Sequence, residues 1–252
     1  MSTTKPFISQ ASAVNSRQQT RYAVYLLPPQ HSPLWLAGSQ WLGWDSRSGA
    51  ASPGLIAPSG SQSRQKLLTS RPRKYGFHAT LVPPFHLPPG LEFEQLAARV
   101  QMLVAGHPPI NLEPLTVRPL NRFLALRPPR QNLSAKSLAN HLTHRLEIFR
   151  RRGQKSVSFR ESGLTPMQSS RYGRFGYPHM LNNFQLHFTL TNDLTPHQLT
   201  IMKTAAKKYF ADALRQPCSL DHVTLLVQHH RDGPFYVMRD IPFDIGVSDT
   251  KE

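Results

Sequence analysis

Tyr75-Gly76-Phe77-His78-Ala79-Thr80-Leu81 decides how this chain is read, because a second stretch repeats it: Phe184-Gln185-Leu186-His187-Phe188-Thr189-Leu190. Both pass from apolar residues to His, any residue, Thr and Leu. In an extended strand, residues two apart share a face. Each His would stand beside its Thr, so two imidazoles and two hydroxyls become available to one phosphate. His-x-Thr alone is a weak signal. Of 12 histidines, four have Thr two places on: His78, His141, His187 and His222.

An internal duplication separates them. Each of the two stretches is followed by a helix pattern and then two strand patterns. The segment from Leu112 to Val117 matches that from Leu220 to Leu225. Thr116 lies 38 residues after His78, and Thr224 lies 37 after His187. Two landmarks agreeing within one residue indicate a twofold repeat. In that register His222 aligns with Pro114 and has no counterpart. His141 falls in a helix pattern, where positions two apart diverge. His78 and His187 remain as equivalents, each on a motif strand, expected over Tyr75–Val82 and 183–191.

Around these strands the patterns predict a strand over 22–27 and a short helix over 33–44, capped by Ser32 with Pro33 in its first turn. Residues 45–62 read as an exposed loop, and 64–70 as a helical turn. Further helices are predicted over 91–105, from a Ser134 cap to about Phe149, and over 196–214 from Thr195-Pro196. Strands are predicted over 110–118, 122–127, 219–228 and 234–240, the last pair joined at Asp232-Gly233. The stretch 150–176 reads as irregular. The fold class is α+β: a duplicated two-lobe arrangement, two antiparallel sheets facing a central cleft with helices outside. Residues 1–20 are expected as a disordered tail, 21–245 as one bilobal domain and 246–252 as a C-terminal tail.

With 252 residues the chain can bury a sizeable core. Its net charge of +16 favours an anionic ligand, a phosphate ester, a nucleotide or RNA. The single cysteine, Cys218, excludes an intramolecular disulfide and a cysteine-based zinc site. It has no evident base partner to make it a nucleophile. No apolar run reaches membrane-spanning length and the first 20 residues lack a signal-type apolar segment, so a cytoplasmic monomer without membrane contact is expected.

At these residues the sequence resembles the 2H phosphoesterase superfamily, named for its two His-x-Thr/Ser motifs. More closely it is similar to the DUF1045 branch found with phosphonate-utilisation genes. The likeness runs over about 21–245, through Arg21-Tyr22-Ala23-Val24-Tyr25, Ser32-Pro33-Leu34-Trp35, both motifs, Tyr172 to Pro178, and the Pro234-Phe235 turn leading to Arg239. Val82 and Asn182-Asn183 depart from the branch pattern. The resemblance implies two facing βαββ-like lobes, His78 and His187 as the acid/base pair, Thr80 and Thr189 as phosphate binders, and no metal or cofactor. It implies activity on a small cyclic phosphate ester, with RNA-end processing, a 2′–5′ ligase, or a non-catalytic phosphate- or RNA-binding module as alternatives. Arg171, Arg174 and Tyr177, close in sequence to the second motif, are candidates for neutralising phosphate charge. Tyr75, three residues before His78, is a further candidate for substrate contact.

Overall fold

The computed structural model describes residues 20–52, 61–112, 114–151, 164–175 and 181–244. The expected tails and Tyr177 lie outside these, apart from Thr20. The chain forms strands β1 (Arg21–Leu26), β2 (Ala79–Phe85), β3 (Ile110–Asn111), β4 (Thr116–Leu120), β5 (Phe123–Arg127), β6 (Phe188–Thr189), β7 (Ser219–Leu220), β8 (His222–Gln228) and β9 (Tyr236–Pro242). Helices are α1 (Pro33–Leu42), α2 (Gln62–Leu68), α3 (Ser70–Tyr75), α4 (Phe93–Val104), α5 (Leu133–Arg145), α6 (Pro166–Phe175) and α7 (Pro196–Tyr209). Among the described residues no helix is long and apolar enough to cross a membrane.

Every sheet is antiparallel, and the orders are β2-β1-β8-β9, β4-β5-β6 and β3-β7. The expected α+β class is what the chain adopts. Strand–helix–strand–strand follows each motif, but the hairpins are exchanged. The β4-β5 hairpin, which follows the first motif, pairs with the second motif strand β6. The β8-β9 hairpin, which follows the second motif, joins β2 through β1. Between the halves, Asn111 sits opposite Ser219 and Ile110 opposite Leu220. The 108-residue offset that relates Leu112 to Leu220 also relates Asn111 to Ser219. Equivalent residues therefore face each other, and a local twofold passes between Asn111 and Ser219.

The helix starts are set by capping. In α4 the side chains of Glu92 and Gln95 cap reciprocally, and in α7 those of Thr195 and Gln198 do so. Helix α6 falls in the stretch read as irregular. Its start, Thr165-Pro166-Met167-Gln168, has the same pattern as Thr195-Pro196-His197-Gln198, and Gln168 N donates to Thr165 Oγ1 (3.2 Å). Helix α5 is capped by Asn132, which accepts from Ala135 N (2.9 Å), and Ser134 lies inside the helix. Asn132 wins because its amide also donates to Asn111 O (2.9 Å), tying the helix start to β3.

The motif strands are shorter than expected. The first begins at Ala79, because Tyr75 ends α3 and Gly76 takes φ 74° and ψ −177°, a conformation open mainly to glycine. The second is only Phe188–Thr189, with Leu181–Asn183 in a 3₁₀ turn. There Leu124 N donates to the Thr191 hydroxyl (3.0 Å), which interrupts the ladder with β5.

The core is continuous through both halves. Phe77, fully buried, stacks on Phe188 (5.1 Å between centroids) and Phe210 (6.5 Å), so the residue before His78 packs on the residue after His187. Trp41 donates its indole N–H to Leu190 O (2.8 Å). Gly38 of α1 is what admits the Phe77 ring, since a Cβ there would sit 2.2 Å from it. Gly38→Ala is expected to lower stability by about 1–3 kcal/mol through overpacking. Chemical denaturation measures this, and an unchanged midpoint would show that the ring moves aside freely.

Candidate active site

Both motif histidines are built alike at the atomic level. His78 Nδ1–H donates to Gly76 O (2.9 Å), and His187 Nδ1–H donates to Gln185 O (2.7 Å). In each the acceptor is the carbonyl two residues back. A carbonyl cannot donate, so this bond fixes the tautomer with hydrogen on Nδ1 and a lone pair on Nε2. The Thr80 hydroxyl donates to His78 Nε2 (3.2 Å). The charge of His187 opposes protonation of His78.

β1 supplies the floor under His78. Tyr25 lies opposite Thr80 on one side and Thr224 on the other, and Thr224 lies opposite Asp240. One row, Thr80–Tyr25–Thr224–Asp240, therefore crosses four strands on one face. The Tyr25 ring stacks against the His78 imidazole, with centroids 3.9 Å apart and planes at 22°. Tyr75 lies further off at 6.0 Å and stacks on Phe235 (5.2 Å). Packed in this way, His78 has its pKa lowered to about 4. Burial is the main cause; the Gly76 bond works against the shift, and His187 adds to it.

The far end of the row is polar. Thr224 donates to Asp240 Oδ1 (2.6 Å), and Arg47 forms an ion pair with Asp240 Oδ2 (2.5 Å). Arg47 stacks over Trp35 (5.2 Å) and approaches His222 Nε2 (3.4 Å). The Arg47 bonds hold the Asp240 carboxyl below its usual range against the opposing effect of burial. Arg47 belongs to a stretch read as exposed loop. Instead, the Asp45 carboxylate caps a turn by accepting from Arg47 N (2.8 Å), and Ser46 is buried against Val237 (2.8 Å, N to O).

The other candidates are less central. Arg171 is buried in α6, with Nη2 2.9 Å from Met167 Sδ. Arg174 makes a two-pronged pair with Glu147 (2.8 and 2.6 Å), so a phosphate would compete with that carboxylate. Thr189 lies opposite Ala125 on β6. His141 is on α5, and His222 joins Asp221 (2.7 Å) and Asp240, away from the motif pair. Reading along the sequence missed Tyr25. Its strand was evident, but nothing local shows that it falls opposite Thr80.

The profile of the DUF1045 family, described as a protein of unknown function, matches residues 80–236. Two curated relatives are named ribose 1,5-bisphosphate phosphokinase PhnN. The one from Janthinobacterium sp. (strain Marseille) is 32% identical over 236 residues, covering 91% of this chain and 52% of that protein. The one from Laribacter hongkongensis (strain HLHK9) is 30% identical over 219 residues, covering 87% of this chain and 51% of that protein. The chain thus spans about half the length of the curated relatives it matches. A solved structure of a conserved protein of unknown function from Agrobacterium tumefaciens str. C58 aligns with a TM-score of 0.46 and 10% identity, over 90% of this chain and 87% of that one.

The site geometry generates one prediction. In a proton-NMR titration the His78 imidazole is expected to titrate near pH 4. His187→Ala should move it upward, yet leave it below the ordinary histidine value of about 6.5, because burial is the larger cause. The folded pKa lies below the unfolded one, so this group's contribution to stability is complete above about 6.5 and is lost as pH falls toward 4. A His78 midpoint near 6.5 would contradict the burial argument.

Proposed function

The chain belongs to the DUF1045 family, and from that premise we propose that it is a phosphodiesterase that opens a small cyclic phosphate ester by paired-histidine acid–base chemistry. The observation that carries this reading is the matched tethering of His78 and His187. Each ring commits Nδ1 to the backbone and keeps Nε2 for proton transfer.

The depressed pKa of His78 supports a division of roles. His78 is neutral near pH 7 and acts as the base. His187 takes the part of the acid. Water attacks phosphorus and its proton passes to His78 Nε2. The ring P–O bond breaks, and the leaving oxygen takes the proton from His187 Nε2. The product is a phosphomonoester. The Thr80 hydroxyl, which donates to Nε2 in the free protein, turns to a non-bridging phosphate oxygen and leaves Nε2 open to water. Thr189 serves the same oxygens from the second motif. The bound anion also raises the His78 pKa toward neutrality, which makes it a better base.

The name of the relatives supports a phosphorylated ribose ester as substrate class, in keeping with a role near phosphonate metabolism. The kinase reaction in that name is not carried over, because the chain has no G-x-x-x-x-G-K-[S/T] phosphate loop. The net charge of +16 favours a second reading, an enzyme acting on RNA ends.

A turnover panel of ribosyl and nucleoside 2′,3′-cyclic phosphates and RNA ends separates the two readings. His78→Ala and His187→Ala are each expected to lower kcat by roughly a hundredfold to ten-thousandfold, the usual range for one acid–base group. A folded variant with a mild loss at either position removes that residue from the chemistry. EDTA is expected to leave turnover unchanged. The acidic limb of kcat/KM should fall near pH 4, and that of kcat at higher pH, because the bound anion raises the base.

A further inference from the structure

The second motif strand carries a row of its own. Arg118 on β4 lies opposite Ala125 on β5, and Ala125 lies opposite Thr189 on β6. Residues directly opposite in a ladder share a face, so Arg118, Ala125 and Thr189 stand in line on one side of the sheet. Leu124, Leu126 and Phe188 turn to the other side and are fully buried in the core. His187, two residues before Thr189, belongs to the face of the row. In the first motif the residue beside Thr80 is Tyr25, a full ring; in the second, the residue beside Thr189 is Ala125, a single methyl. Two strand spacings, about 10 Å, separate the Cα atoms of Arg118 and Thr189. With only a methyl group between, an arginine extended over Ala125 comes within reach of a phosphate on the Thr189 hydroxyl.

Arg127 lies on the same face, two residues beyond Ala125 and diagonal to Arg118. Its Nη2 donates to Gln185 Oε1 (2.6 Å) and its Nη1 to Pro119 O (3.2 Å). Gln185 is also the residue whose carbonyl holds His187. Arg127 is thus committed to the protein. Arg118 is exposed and makes no hydrogen bond or ion pair among the described residues. A phosphate here calls for such a cation, because the two motif hydroxyls donate hydrogen bonds but bring no charge. Arg174 is paired with Glu147, and Arg47, at the end of the first row, with Asp240. A guanidinium fork matches two oxygens of one phosphate.

We infer that Arg118 is the cation that binds the substrate's phosphate, closing across Ala125 on the group that Thr189 holds, with Arg127 fixed beside it. This rests on the paired-histidine reading for the ligand at Thr189, though it requires no bond to break.

The test titrates the full chain with inorganic phosphate at fixed ionic strength, with sodium chloride as the control. NMR follows the Thr189 amide and the Arg118 Nε–H, the latter assigned with Arg118→Lys. Both are expected to shift saturably with one Kd. Arg118→Ala should weaken phosphate binding roughly tenfold or more, in the range for a charged hydrogen bond. Arg118→Lys should recover only part of this, because an ammonium lacks the fork. Lys207→Ala, which removes an equal charge from an exposed position on α7, should bind phosphate like the parent. The inference is overturned if phosphate leaves Thr189 of the parent unshifted, if Arg118→Ala binds as tightly as the parent, or if Lys207→Ala weakens binding as much. Turnover separates this inference from the hydrolytic reading. Unchanged KM and kcat in Arg118→Ala, on a cyclic phosphate that the parent opens, would overturn the cation and leave the reaction standing. Phosphate binding that needs Arg118, in a protein that opens none of the cyclic phosphates, would uphold the cation and sink the reaction.

Discussion

The bond from each motif imidazole to the carbonyl two residues before it is the constraint on which the site depends. It settles three things at once: the tautomer, the plane of the ring, and which nitrogen is left for chemistry. Meeting it requires the chain to bring a carbonyl back under its own side chain just before entering a strand. Gly76 does this in the first motif with a backbone conformation that a Cβ would strain, and with Ser46 pressed where that Cβ would be. Residues usually described as the motif, His78 and Thr80, are therefore placed by a glycine that precedes them.

The hairpin exchange makes the two halves depend on each other. Neither motif strand completes a sheet with the hairpin that follows it in sequence. Phe77 and Phe188 pack face to face across the join, and both are fully buried. Loosening one half thus disturbs the ring that abuts the histidine of the other. Such long-range pairing carries a loop-closure cost, which the continuous apolar core offsets.

Much of this was legible in sequence, and what was hidden has physical reasons. Amphipathic helices announced themselves through period and caps, and the equivalence of His78 and His187 followed from the spacing to Thr116 and Thr224. Helix α6 was missed although Thr165-Pro166-x-Gln168 repeats the start of α7, because its surroundings are basic and poor in apolar residues. The start of β2 was misplaced because apolar residues from Tyr75 to Phe77 fit a strand and a buried helix end equally well. Tyr25 and Arg47 could not be found locally. One acts through cross-strand register and the other through an ion pair to Asp240, almost 200 residues away in sequence.

A duplicated motif sets like groups in two places, and the repeat alone does not say how those places differ. Here the surroundings differ where the motifs do not. His78 is pressed against Tyr25, bonded by Thr80 and drained of charge by burial. His187 bonds to the carbonyl of an exposed glutamine, Gln185, and has the Phe123 ring at 6.0 Å. β1 creates the difference, since it is inserted beside β2 and has no counterpart next to β6 among the described residues. The strand outside the repeat is thus the element that breaks the symmetry.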